Sequence, residues 1–114
     1  MAVKTLQVKL EGKAELHEPR VRLEDMFINL FTVDGGTTWE NKGVQVNIND
    51  KLDYLMSCKA ISGTDWTFSI KDKDTKKKLL EEEGTTGEKM PNFSRIEGSV
   101  EVNPKLDVNP KIHA

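Results

Sequence analysis

The side chains able to do chemistry are few. His17 and His113 are the only side chains of a type that could act as a neutral-pH base, and Cys58 is the only thiol. A general base needs a proton-transfer partner within hydrogen-bond reach, and structural zinc needs four nitrogen or sulfur ligands. Two distant histidines and one cysteine lack the spacing of a zinc site; both histidines read as surface residues, and an enzyme would need a pocket that brings His17 close to a carboxylate or to Cys58. Ser57-Cys58 could hold a nucleophile, but Cys58 shares the alternating phase of Tyr54, Met56 and Ala60, so it reads as a small core residue. Asp50, Asp53, Asp65, Asp72 and Asp74 fall near expected strand ends, where carboxylates can gather Ca²⁺. Their spacing does not follow the EF-hand loop, and turn formation explains them without a metal. Gly35-Gly36 is not followed by the lysine of a phosphate loop. The expectation is a non-enzymatic chain with no metal or cofactor.

Two tryptophans offer another chemistry. Flat apolar rings stack on sugar C–H faces, so Trp39 and Trp66 together form a candidate carbohydrate platform. Core packing is the stronger reading, above all for Trp66, which is in phase with Phe68 and Ile70. Carbohydrate binding is therefore the alternative to the leading reading developed below.

The elements that would carry these residues are strands. In 114 residues there is material for one modest core. Period-2 alternation recurs at Leu6, Val8 and Leu10, at Val44, Val46 and Ile48, at Leu52 through Ala60, at Trp66, Phe68 and Ile70, and from Ile96 onward. The phase switches at Glu18-Pro19, and Val21 and Leu23 begin a second strand. Met26 to Val33 is almost continuously apolar and reads as a central strand covered on both faces. Residues 74 to 84 have helical propensity. Their lysines would lie at the positive end of a helix dipole, which favours a hairpin turning near Lys73 to Lys76. Lys76 to Lys78 would then face Glu81 to Glu83 across it. Residues 84 to 95 read as a loop.

Between the apolar run and the next strand lies T-V-D-G-G-T-T-W, Thr32 to Trp39, which resembles the Asp-box pattern S/T-x-D-x-G-x-T-W at every fixed position. The resemblance covers eight residues of the chain. It implies a hairpin in which Asp34 accepts bonds from turn amides and Trp39 folds back over the strands. Such hairpins recur in sialidase-type propellers and are similar to ones in immunoglobulin-like sandwiches such as the sulfite oxidase dimerisation domain. One copy cannot build a propeller, so the implied role is structural.

The expected fold is therefore all-β: an antiparallel two-sheet sandwich of seven or eight strands, immunoglobulin-like or C2-like, over residues 1–102. A Pro-containing tail follows over 103–114. Its near repeat V-N-P-K-L-D/V-N-P-K-I-H continues the alternation. A straight strand from Glu97 to His113 would span about 60 Å, more than so small a domain needs. Leu106, Val108 and Ile112 are the candidate partner contacts of such an arm. The leading functional expectation is an interaction or assembly domain that meets a protein partner, or another copy of itself, through edge strands or the arm. A net charge of −2 gives no long-range attraction for nucleic acid or anionic membrane. The lone cysteine and the absence of a long apolar run fit a cytoplasmic protein.

Overall fold

The computed structural model describes residues 2–102. Alternation becomes nine strands: β1 (Ala2–Gly12), β2 (His17–Leu23), β3 (Met26–Ile28), β4 (Phe31–Thr32), β5 (Thr38–Ile48), β6 (Lys51–Lys59), β7 (Asp65–Asp72), β8 (Lys78–Thr85) and β9 (Phe93–Glu101). They form two antiparallel sheets, β4-β5-β1-β7-β8 (sheet A) and β3-β2-β6-β9 (sheet B). Among the described residues no helix is long and apolar enough to cross a membrane.

The inner faces follow from register, because residues opposite each other in an antiparallel pair share a face. In sheet A, Leu10 lies opposite both Trp39 and Phe68, and Val8 opposite Ile70. In sheet B, Met56 lies between Val21 and Ile96. The core between them includes the fully buried Leu6, Leu10, Leu16, Leu23, Leu52, Phe68 and Ile70. Burying a side chain of this size is worth about 1.5–3 kcal/mol, so these residues dominate the favourable side of folding.

Two expectations change. Residues 26 to 33 do not form a central strand. They split at Asn29-Leu30 into β3, the edge of sheet B, and β4, the edge of sheet A, which is how nine strands arise where seven or eight are expected. Asn41 Nδ2 donates to the Asn29 carbonyl at 3.0 Å and fixes the crossing between layers. Residues 74–84 do form the β7–β8 hairpin, but Lys78 lies opposite Lys71, and the glutamates do not lie opposite the lysine run. Lys78 to Glu83 all lie on β8, with Glu81 opposite Ser69 and Glu83 opposite Thr67. Lys78 pairs with Glu81 along the strand, 2.5 Å apart.

The hairpin turn is held by the buried Asp72. Its carboxylate accepts from the amides of Asp74 and Thr75, at 2.9 and 3.3 Å, and from Lys4 Nζ at 3.2 Å. Burial alone would raise this carboxyl, but the two amides and the ammonium outweigh it and hold it below its usual range.

Candidate functional site

The reactive side chains do not converge. His17 is exposed and pairs with Lys59, while Cys58, the adjacent residue, points to the opposite face and is buried. Burial pushes its thiol up to about 11, so the nucleophilic thiolate is scarce at neutral pH. Among the described residues no group of three or more His, Cys, Asp and Glu side chains is placed to hold a metal ion.

Nor do the tryptophans make a platform. Both occupy the inner face of sheet A, Trp39 opposite Leu10 and Trp66 opposite Gly12. Trp66 is buried, and the half-buried Trp39 donates its indole N–H to the carbonyls of Gly36 and Leu16, at 2.9 and 3.2 Å. Alternation places a side chain on a face; here that face looks into the core. The Thr32–Trp39 segment is tied by Asp34, which accepts from the Thr38 amide at 3.0 Å and from the Thr37 and Thr32 hydroxyls at 2.8 and 3.1 Å. Those bonds, the Thr38 amide foremost, hold the Asp34 carboxyl well below the usual carboxylate range. Its acceptor capacity is spent on its own turn.

What remains are the two open sides of the sandwich. On one, between β8 and β9, lies a cleft of about 450 Å³ with Trp66, Gly84, Met90, Phe93, Arg95 and Ile96 in its walls. Two glycines here, one on each edge strand, accommodate a ring. A Cβ on Gly84 would overlap Cζ2 of Trp66, and one on Gly98 would sit 2.9 Å from the Tyr54 hydroxyl oxygen. Aromatic side chains thus cover glycines on both edge strands, an arrangement that pins register. Tyr54 spans the gap between layers and donates to Glu82 at 3.3 Å. Burial, followed by the Glu82 charge, raises the Tyr54 hydroxyl above its usual range. Glu82 lies opposite Phe68 and so points inward from the edge, a feature that blocks further strand addition. The loop joining β8 to β9 is fastened by Thr86, whose hydroxyl donates to the Ile61 carbonyl at 2.7 Å. Asn92 Oδ1 accepts there from the Ser62 amide at 2.9 Å. The Trp66 indole N–H is buried without a hydrogen-bond partner among the described residues.

The opposite side carries the short edge strands β3 and β4. Met26, Phe27, Phe31 and Val33 are 41, 60, 61 and 90% exposed, four of the seven large hydrophobics so exposed among the described residues. Phe27 lies opposite Arg22, on the outer face of sheet B; Phe31 lies opposite Glu40, on the outer face of sheet A. The two rings therefore flank one edge. No residue from Met26 to Val33 is charged, although charged residues make up 32% of the chain. The apolar run that reads as buried is real; its environment is what residue order does not show. The candidate arm contacts Leu106, Val108 and Ile112 lie outside the described residues.

Comparison of the chain with known protein families, with characterised proteins and with solved structures finds no match.

Proposed function

We propose that the chain is a non-catalytic interaction domain that meets a protein partner through the β3–β4 edge, in an architecture nearest the immunoglobulin-like or C2-like sandwiches. The observation that carries this reading is the concentration of exposed apolar side chains in one uncharged eight-residue segment. Scattered surface hydrophobics need no explanation, whereas four concentrated in one uncharged edge segment of an otherwise charged surface favour a contact there. Strands of three and two residues present few free backbone groups. Recognition here therefore rests on side chains packing into a partner and not on strand addition.

Site-specific photo-crosslinking in cells tests this. A benzophenone side chain replaces Phe27, Phe31 or, as a control, Ile61, which is 79% exposed on the β6–β7 turn. One defined protein should be captured from positions 27 and 31 and not from 61. Excess wild-type domain should compete the product away, and excess F27E/F31E domain should not. Equal capture at all three positions, or none at 27 and 31, removes the reading.

A further inference from the structure

We infer that the cleft between β8 and β9 is a binding site for a neutral, largely apolar small molecule carrying one acceptor oxygen, with the Trp66 indole N–H as its donor. The cleft lies on the side of the sandwich away from β3 and β4, so it is independent of the partner reading above. The donor is the observation that points to a ligand. Trp66 is 4% exposed, and its N–H has no partner among the described residues. Buried polar groups are nearly always paired and leaving one unpaired is costly, so an orphan beside a cleft marks a place for an acceptor. The other tryptophan, Trp39, spends its N–H on two carbonyls of its own chain. The Trp66 ring lies over Gly84, with Cζ2 and Cε2 the atoms that a Cβ there would meet first. Nε1 is bonded to Cε2, so the donor sits on the ring edge beside Gly84, and Gly84 is part of the cleft wall.

The rest of the wall sets the class of ligand. A volume of about 450 Å³ falls within the range that holds cofactors and drug-sized molecules. Met90, Phe93 and Ile96 supply apolar surface. The wall charges balance, Glu83 and Glu88 against Lys89 and Arg95, so neither an anion nor a cation is drawn in. Arg95 is also held by Glu97 at 2.9 Å. The wall hydroxyls are spent inside the protein: Thr85 donates to Asp65 at 2.7 Å, and Ser94 donates to the Thr85 carbonyl at 3.2 Å. That leaves the indole as the buried side-chain donor of the wall. A ligand with many hydroxyls, such as a sugar, would lose more hydrogen bonds to water than it regained there. The N–H lies beneath the accessible surface, so contact with it requires a wall side chain to shift. Met90, unbranched and 53% exposed, is suited to that movement.

Three probes on one ring system test the inference: 2-acetylnaphthalene, 2-ethylnaphthalene, which lacks the oxygen, and 2-naphthoate, which adds a charge. Each is titrated into the ¹⁵N-labelled full chain while the two indole N–H signals, told apart with Trp66→Phe, are followed by NMR. The ketone should bind with a Kd on the order of 0.1–1 mM, as expected of a ligand its size. It should move the Trp66 signal downfield and leave that of Trp39 in place. The hydrocarbon and the carboxylate should each bind at least about fivefold more weakly, because the first leaves the donor unpaired and the second buries a charge. Met90→Glu, which places a charge in the apolar wall, and Trp66→Phe, which removes the donor and keeps a ring, should each weaken the ketone by at least about the same factor. F27E/F31E should leave its affinity unchanged. An undisplaced Trp39 signal in each variant reports an intact fold. Should Trp66→Phe not fold, the probe comparison and Met90→Glu carry the test. Absence of binding by all three probes overturns the inference, as does equal affinity for all three. So does binding of the ketone that is indifferent to Met90→Glu or lost in F27E/F31E.

Discussion

The two open sides of the sandwich solve the same problem in opposite ways. Between β8 and β9, edge strands of eight and nine residues could template further pairing. The sequence supplies deterrents: the inward-pointing Glu82, the outward Glu81 and Glu83, and Arg95 and Glu97 on the facing edge. Rings over Gly84 and Gly98 and the fastened 86–92 loop make that side rigid as well as guarded. Between β3 and β4 the strands are too short to template anything, and no charge is placed among the exposed apolar side chains. One side is built against association through its backbone. The other leaves side chains available for it.

The contrast can be broken most forcefully at Gly84. Gly84→Ala forces a methyl into the space occupied by the Trp66 ring. Overpacking of this kind costs about 1–3 kcal/mol. Urea unfolding followed by tryptophan fluorescence should show the loss; an unchanged midpoint would mean that the ring moves freely and the side is not rigid. Tyr54→Phe is the next test, because it removes the hydroxyl that joins the layers through Glu82. Loss of one such bond costs about 1 kcal/mol. For a domain of this size that is a fall in Tm of several degrees. A rise in Tm would show that the bond strains the edge. The smallest effect is expected on the other side, where the Phe31 ring is 61% exposed. There Phe31→Ser should alter stability by no more than about 0.5 kcal/mol. A calorimetric loss well above that would make the β3–β4 edge part of the folding core and remove the distinction between the two sides.

Much of this is readable from residue order. Alternation at Leu6–Leu10, Leu52–Ala60 and Trp66–Ile70 locates strands and their core-facing residues, and the place of Asp34 before two glycines marks it as the holder of a turn. The Met26–Val33 run reads as a centre and folds as two edges for a definite reason. Periodicity reports which side chains share a face, but an apolar edge and an apolar centre have the same composition, and only the order of strands distinguishes them. The two ring–glycine contacts are hidden for a related reason. Trp66 meets Gly84 and Tyr54 meets Gly98 through pairings that join residues far apart in the chain, and a glycine read alone suggests only a turn or a bulge. The cleft is hidden with them, because it is a product of how two sheets end side by side.

The single buried thiol makes the protein a recorder of its own openings. Cys58 is shielded by both sheets, and its thiol is held mostly protonated, so a thiol reagent reaches it only when the layers separate. When opening and closing are fast compared with labelling, the reaction rate divided by that of an unstructured thiol gives the fraction of time spent open. Such labelling would follow the open fraction of the sandwich inside a cell without any added probe group.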